Sequence, residues 1–181
     1  MMCLLISGKA GHGKDTFAAI LQEKLEDKGV SVLMLHFADL VKFYATKYCG
    51  WQGEKNVEGR ALLQKIGNDT FRQYDPNYWA RITAECAHVF GEYFGYDYVI
   101  IPDNRYPNEI EIVKKYNDRV ITIRVNRYNE DDTDWENPNM TEKQKLNEGE
   151  IALDNYTFDY TIDNYSIEGL KESADSLLDI L

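Results

Sequence analysis

A glycine-rich segment near the start of the chain constrains the fold more than any other feature. It reads GKAGHGKDT, from Gly8 to Thr16, and directly follows the apolar run from Cys3 to Ile6. A buried strand, a loop of glycines and the start of a helix form the layout of a phosphate-binding P-loop. Glycines allow positive φ angles, so successive backbone N–H groups point at one anion beside the positive end of the helix.

The side chains of this loop are candidate ligands for a nucleotide and its metal. We expect Lys14 to reach the terminal phosphates. P-loops usually carry Ser or Thr after this lysine to bind Mg²⁺, but the chain has Asp15 there. Either Asp15 holds the metal or its water shell, or Thr16 substitutes for the usual hydroxyl. The predicted nucleotide-binding set is Gly8, Gly11, His12, Gly13, Lys14, Asp15 and Thr16. The alternative is a glycine-rich turn without chemical function.

Composition favours one soluble domain. The chain has 181 residues and no long apolar run, which predicts a single domain without a membrane span. It opens on the first strand without a signal-like segment, so we expect a cytoplasmic protein. A net charge of −11 disfavours stable binding to nucleic acid. The three scattered cysteines, Cys3, Cys49 and Cys86, are expected to be buried free thiols.

Short apolar runs alternate with helical patterns along the chain. Strands are predicted at about 3–6, 30–37, 96–102, 120–125 and 160–163, and helices at about 38–48, 58–74, 76–94 and 167–181. This order predicts an α/β, three-layer P-loop NTPase fold with a mostly parallel five-stranded sheet and helices on both faces. Ligands of such sheets lie at the carboxyl ends of the strands.

Two aspartates follow predicted strands at this edge. Asp39 comes after the second strand and Asp103 after the third. An apolar strand that ends at Asp103 resembles the one that carries the acidic residue of P-loop proteins, which positions Mg²⁺ or its waters. Its alternative role is to cap the helix that Pro107 begins.

Arg72 is the arginine of the central helical stretch. A guanidinium group matches a phosphate dianion with two parallel hydrogen bonds. A surface ion pair with Asp69 or Asp75 is the alternative. Several aromatic residues nearby are candidates either for stacking on a base or for the core: Phe37, Phe43, Tyr44, Tyr78 and Trp79.

Motifs along about residues 3 to 175 resemble those of the phage-type deoxynucleoside monophosphate kinases, in the adenylate-kinase-like branch of P-loop kinases. The motifs are SGKAGHGKDTFA, FADLVK, LLQKIGNDTFRQYDPNYW, VIIPDNRYPNEIE and FDYTIDNYSIEGL. GKDT is the usual ending of the P-loop in that family. The resemblance implies ATP as co-substrate, with Lys14, Asp15 and Thr16 at its phosphates and Mg²⁺. It also implies a deoxynucleoside 5′-monophosphate under the helices after the second strand, held by Arg72, Trp79 and Arg105.

These inferences define one kinase domain, residues 1–181, with an acceptor-binding region at about 38–95. The candidate metal ligands are Asp15, Thr16 and Asp103. The candidate substrate-binding residues are Asp39, Arg72, Trp79, Asp103 and Arg105.

A lid is expected at about residues 126–149, where related kinases carry a mobile segment with arginines. This segment is mostly acidic, so we expect its carboxylates to face solvent and Arg124 and Arg127 to clamp the phosphates. The alternative is a static acidic loop. The predicted catalytic set is Lys14, Arg72, Arg105, Arg124 and Arg127.

The sequence therefore predicts Mg²⁺-dependent transfer of the ATP γ-phosphoryl group to a deoxynucleoside monophosphate. One alternative is a kinase that phosphorylates a hydroxyl of a deoxynucleoside or small metabolite, with Asp39 as base. Another is a nucleotide-binding regulator without catalysis. The expected partners are small-molecule nucleotides, without a membrane or nucleic acid, and the protein is expected to be a monomer or homodimer.

Overall fold

Five parallel strands form one sheet in the order β2-β3-β1-β4-β5. The strands are β1 Met2–Ser7, β2 Val32–Met34, β3 Tyr98–Asn104, β4 Val120–Arg127 and β5 Tyr160–Asn164. The computed structural model describes residues 1–54 and 56–181; Lys55, inside the predicted acceptor region, lies outside the described residues. The predicted three-layer P-loop fold is confirmed, and the sheet is entirely parallel.

Helices cover both faces of this sheet. They are α1 Lys14–Asp27, α2 Asp39–Cys49, α3 Val57–Gln64, α4 Tyr78–Phe94, α5 Pro107–Tyr116, α6 Glu142–Lys145, α7 Glu148–Ile151 and α8 Ile167–Leu178. Apolar residues of α1 and α8 pack on one face, and those of α4 and α5 pack on the other. The central strand β1 is buried between these layers, which fixes the loop that follows it at the middle of the carboxyl edge.

Strand β2 is shorter than predicted, Val32–Met34 instead of residues 30–37. Beyond β2, side-chain carboxylates accept hydrogen bonds from the backbone N–H groups that would otherwise extend its pairing with β3. Asp103 accepts hydrogen bonds from Phe37 N at 2.9 Å and Ala38 N at 3.0 Å. Asp39 accepts one from His36 N at 2.8 Å. The apolar run therefore turns away from the sheet before it ends.

The predicted helix at 58–74 is two segments with different hydrogen bonding. α3 ends at Gln64, and a π-helix follows from Lys65 to Arg72. The Gly67 carbonyl within the π-helix accepts the indole N–H of Trp79 at 3.0 Å. Such wide turns are often found at functional sites, and this one carries Arg72 at its last position.

An aromatic cluster holds the π-helix against α2 and α4. Trp79 contacts the rings of Tyr44, Phe71 and Tyr78 at centroid distances of 5.8, 4.8 and 4.8 Å. Only 2% of Trp79 is exposed. Aromatic packing therefore supports the segment that presents Arg72.

Two expectations from composition meet different outcomes. None of the helices in the described part of the chain combines the length and apolar character needed to cross a bilayer. The three cysteines are free, but only Cys3 is buried. Cys49 is exposed at the end of α2, before Gly50 reverses the chain, so the expectation that all three are buried is wrong.

Replacement of Trp79 by alanine is predicted to destabilise the fold. Loss of a large buried ring costs about 3–5 kcal/mol. We expect urea unfolding to report a fall of this size in the free energy of unfolding. Tyr74→Ala is the control, because Tyr74 is 90% exposed and its loss should change stability by less than about 0.5 kcal/mol. Equal stability of the two variants would contradict the packing role of Trp79.

Candidate active site

The loop between β1 and α1 needs glycine at three positions. Gly11 and Gly13 have φ angles of 87° and 93°, which side chains rarely adopt. A Cβ atom on Gly8 would lie 2.8 Å from the Val125 carbonyl oxygen. The first N–H groups of α1 have no acceptor within the helix. The loop therefore has the backbone geometry of an anion site.

The predicted phosphate and metal ligands stand together at the start of α1. The Lys14 side chain is 9% exposed, and its Nζ lies 3.3 Å from Oδ2 of Asp15. Asp15 is 70% exposed, and Thr16 beside it is exposed too. These oxygens suit Mg²⁺, which usually combines one or two protein ligands with substrate phosphates and water. Within residues 1–54 and 56–181, no cluster of three His, Cys, Asp or Glu side chains could hold a metal.

Asp103 braces the site instead of capping α5. Its two oxygens accept the N–H groups of Phe37 and Ala38 and so join the end of β3 to the start of α2. Burial raises the pKa of Asp103, although His36 counteracts the shift. A lone pair on each oxygen remains for a metal-bound water, and the predicted metal role stays a prediction.

Asp39 is the first residue of α2, and its carboxylate pairs with neighbouring residues. One oxygen accepts the His36 N–H and lies 3.5 Å from Nδ1 of that histidine. The hydrogen bond to Asp39 raises the pKa of His36. Lys42 approaches the other oxygen at 3.5 Å.

Arg72 pairs with a carboxylate that sequence reasoning missed. Its Nη2 donates to Oε1 of Glu109 at 2.6 Å, and its guanidinium lies 4.3 Å from the Tyr106 ring centroid. Neither alternative partner is used; Asp75 instead pairs with Arg81 at 2.9 Å. The Arg72 side chain is 18% exposed. The guanidinium is therefore held in place, while part of the Arg72 side chain stays exposed and lines a cleft.

Glu109 collects donors from three parts of the site. It is 1% exposed and accepts from Arg72, the backbone N–H groups of Arg105 and Tyr106 at 2.7 and 3.1 Å, and Asn104 Nδ2 at 3.1 Å. Burial raises its pKa, while Arg72 opposes that shift. From the sequence, an acid at the third position of a helix, such as Glu109, indicates only a capping role.

Arg72 lines a cleft of about 490 Å³ between the π-helix and the start of α5. Polar side chains line much of the cleft, including Asn68, Asn77, Asn108 and Asn147. Trp79 does not line it, because the aromatic cluster covers its ring. A contact between Trp79 and an acceptor would require this cluster to rearrange.

Arg105 points toward the lid side. Its Nη1 donates to the Gly149 carbonyl at 3.0 Å and pairs with Oε1 of Glu150. Glu150 Oε2 accepts the Ala10 N–H of the P-loop at 2.8 Å. The acids of this region were expected to face solvent; Glu150, one residue beyond the predicted lid, instead points into the P-loop.

The two predicted lid arginines contact the P-loop strand and loop. Arg124 is 9% exposed and donates to Ser7 Oγ at 3.3 Å and to Asp154 Oδ1 at 3.0 Å. The Arg127 guanidinium lies 4.3 Å from the Trp135 ring centroid and donates to the Gly11 carbonyl at 3.3 Å. Both arginines belong to β4, and their side chains lie near the phosphate loop; their predicted role as clamps on the phosphates stays a prediction.

Trp135 packs the segment that was predicted to be a lid against the P-loop. A Cβ atom on Gly11 would lie 2.8 Å from the Trp135 ring, and Asn137 Nδ2 donates to the Ala10 carbonyl at 3.1 Å. A cavity of about 640 Å³ lies under the lid beside these contacts.

His12 is half-buried between the P-loop and the predicted lid, where its imidazole is neutral. Its Nδ1 accepts the Arg127 N–H at 3.1 Å, and its ring meets Trp135 edge-on at 5.9 Å. Burial, with the nearby charges of Arg124 and Lys9, lowers its pKa from 6.5 to about 4. At neutral pH the loop therefore gains no positive charge from His12.

Comparison with known proteins supports the fold. No family model matches the sequence, and no curated protein matches it. The structure resembles the APS kinase of Mycobacterium tuberculosis in complex with AMPPNP and APS, with 14% identity, a TM-score of 0.57 and coverage of 99% of this chain and 96% of that one. A Janibacter sugar kinase has 19% identity and a TM-score of 0.60, covering 99% and 95%. The chain has the fold of P-loop kinases.

A third similar structure is the tunicamycin resistance protein of Deinococcus radiodurans. It is 13% identical with a TM-score of 0.56, over 98% of this chain and 95% of that one. At these identities, the similarities establish the shared architecture.

The low pKa of His12 predicts a distinct titration. NMR of the folded protein should show one histidine titrating near pH 4, and His12→Asn should remove that signal. His12 is protonated below about pH 6.5 in the unfolded chain but only below about pH 4 in the folded protein. The contribution of His12 to the free energy of unfolding therefore falls as the pH is lowered from about 6.5 to about 4. A His12 signal with an ordinary midpoint would contradict the buried geometry.

Proposed function

We propose that this protein transfers the γ-phosphoryl group of ATP to a deoxynucleoside 5′-monophosphate. The observation that carries the proposal is Arg72, held by Glu109 and Tyr106 at the wall of a cleft separate from the P-loop. A guanidinium held at the wall of a cleft suits the binding of a phosphate dianion. The sequence resemblance to deoxynucleoside monophosphate kinases supports this acceptor.

The donor side rests on the P-loop. Its amides and Lys14 would hold the phosphates of ATP, with Arg124 and Arg127 close by. Asp15 and Thr16 would hold Mg²⁺, with Asp103 acting through water. The ion would neutralise phosphate charge and orient the phosphoryl group for in-line attack.

The reaction needs alignment and charge neutralisation more than proton transfer. A monophosphate has a second pKa near 6, so its attacking oxygen is deprotonated at neutral pH without a general base. Two anionic reactants repel each other, and the cationic side chains of the site offset this repulsion. Arg72 would bind the acceptor phosphate, and Arg105 stands between the cleft and the P-loop. The lid would exclude water that otherwise hydrolyses ATP.

A screen of acceptors tests the proposal. Purified protein with ATP and Mg²⁺ is offered each of the four deoxynucleoside monophosphates, dUMP, the ribonucleotides and the matching deoxynucleosides. Diphosphate formation from a monophosphate is the expected result. Turnover of deoxynucleosides alone would favour the hydroxyl kinase, with Asp39 as base. Nucleotide binding without turnover of any acceptor would favour the regulator.

Lys14→Ala is predicted to abolish turnover while the protein stays folded. Removal of one donor that stabilises transition-state charge costs about 10²–10³ in rate or more. The control is Lys24→Met, because Lys24 lies in the same helix α1 as Lys14 but pairs with Asp175 of α8. Circular dichroism checks the fold of both variants. Full activity of folded Lys14→Ala would refute the P-loop assignment.

Arg72→Lys is predicted to raise the KM for the acceptor about tenfold or more and leave the KM for ATP nearly unchanged. Lysine keeps the charge but loses the planar fork, and hydrogen bonds to charged groups contribute about 1.5–3 kcal/mol. Arg81→Lys is the matched control, because Arg81 pairs with Asp75 and does not line the cleft. A raised KM for ATP alone would move Arg72 to the donor side.

A further inference from the structure

A carboxylate occupies part of the anion-binding loop. Glu150 Oε2 accepts the Ala10 N–H at 2.8 Å, and its other oxygen pairs with Arg105. The Glu150 side chain is only 10% exposed. A single acidic group thus engages a backbone amide of the P-loop and one of the predicted catalytic arginines.

This pair lies between the two clefts. Within the short segment around α7, Asn147 and Glu148 line the cleft of Arg72. Glu150 and Ile151 line the cavity beside the P-loop. Glu150 therefore stands on the path from the phosphate loop to the proposed acceptor cleft.

A second acid of the same segment acts on neighbouring cations. Asp154 pairs with Lys9 of the P-loop at 3.0 Å and with Arg124 at 3.0 Å. We call residues 147–154 the acidic strap. Two of its three acids, Glu150 and Asp154, together engage the Ala10 amide and the side chains of Arg105, Lys9 and Arg124.

We propose that Glu150 is a resident anion of the phosphate site, and that the phosphates of a nucleotide must displace it in order to bind. A carboxylate and a phosphate oxygen accept the same hydrogen bonds from N–H and guanidinium groups. Two anions cannot share these donors without strong repulsion in a site this shielded from water. Binding of one therefore excludes the other.

Displacement of Glu150 has a consequence for Arg105, because the same carboxylate holds both Arg105 and the loop. Arrival of the donor phosphates frees the guanidinium for the transferred phosphoryl group or the acceptor. Through Glu150, the availability of the Arg105 guanidinium for the phosphoryl group or the acceptor would depend on binding of the donor nucleotide. The inference rests on the proposed function only in assuming that the P-loop binds a nucleoside triphosphate.

Binding of the nonhydrolysable analogue AMPPNP tests the inference without an acceptor. Isothermal titration with Mg²⁺ compares the full chain with Glu150→Gln and Asp154→Asn. We expect Glu150→Gln to bind AMPPNP about tenfold more tightly than the unaltered protein. The charged carboxylate of Glu150 competes with the phosphates for the same donors, and removal of its charge-assisted hydrogen bonds changes the affinity by at least this factor. Asp154→Asn should tighten binding less, because Asp154 is 34% exposed.

Glu142→Gln is the matched control. It removes the same charge, but Glu142 lies in α6 and pairs with Lys145 at 2.8 Å, away from the P-loop. Its AMPPNP affinity should stay within about twofold of the unaltered protein. Thermal unfolding verifies that each variant is folded. If Glu150→Gln does not fold, Glu150→Asp replaces it; this variant keeps the charge but its side chain is too short for Ala10, so it should also bind more tightly.

The outcomes separate this inference from the proposed function. Equal or weaker binding by Glu150→Gln, while the unaltered protein binds AMPPNP, overturns the role of Glu150 and leaves the donor site intact. Unchanged affinity with lost turnover would also overturn it and make Glu150 a group acting in the chemistry. Absence of AMPPNP binding in every form overturns both proposals. Binding by Glu150→Gln alone would support a resident anion that closes the site.

Discussion

Pairing of cations with carboxylates at the carboxyl edge of the sheet is the constraint on which the site depends. Arg72 pairs with Glu109, Arg105 with Glu150, and Arg124 with Asp154. Buried charges are costly unless they are paired and hydrogen-bonded. A chain with a net charge of −11 can therefore hold several cations at the carboxyl edge of the sheet, with each of these three arginines paired.

The pairs differ in what their carboxylates can do. Glu109 is 1% exposed and holds the backbone of the β3–α5 connection as well as Arg72, so its removal would disturb the framework. Glu150 and Asp154 belong to a short segment, and each touches the P-loop from outside the sheet. Glu109 therefore suits a permanent positioning role, and the strap carboxylates suit exchange with another anion. In the proposed function, Arg72 would be fixed in the acceptor cleft, and the carboxylates at the P-loop would be replaceable by another anion.

Local pattern in the sequence was enough to predict the framework. Glycine spacing predicted the P-loop, and apolar periods predicted the five strands and most helices, because both signals lie within a few residues. The pairs of Arg72 with Glu109 and of Ala10 with Glu150 could not be predicted, since their partners lie 37 and 140 residues apart. The early end of β2 was missed for the same reason, because Asp103 takes its N–H groups from 66 residues away. For Trp79 the residue itself was noticed, but its role could not be decided from the sequence. An aromatic side chain near a site can belong to the core or contact a ligand, and only the packing in the structure distinguishes the two.

The strength of the contacts between the predicted lid region and the P-loop determines whether nucleotide binding could break them. Trp135 against Gly11, Asn137 on Ala10 and Glu150 on Ala10 join the lid region to the P-loop. Each hydrogen bond of this kind contributes about 0.5–1.5 kcal/mol net, more where a charge is involved. Micromolar binding of a ligand supplies about 8 kcal/mol. A few such contacts are enough to hold the loop in one arrangement, yet they are weak enough for a nucleotide to replace. The small apolar content of residues 126–149 is consistent with this balance, because a larger hydrophobic interface would resist opening.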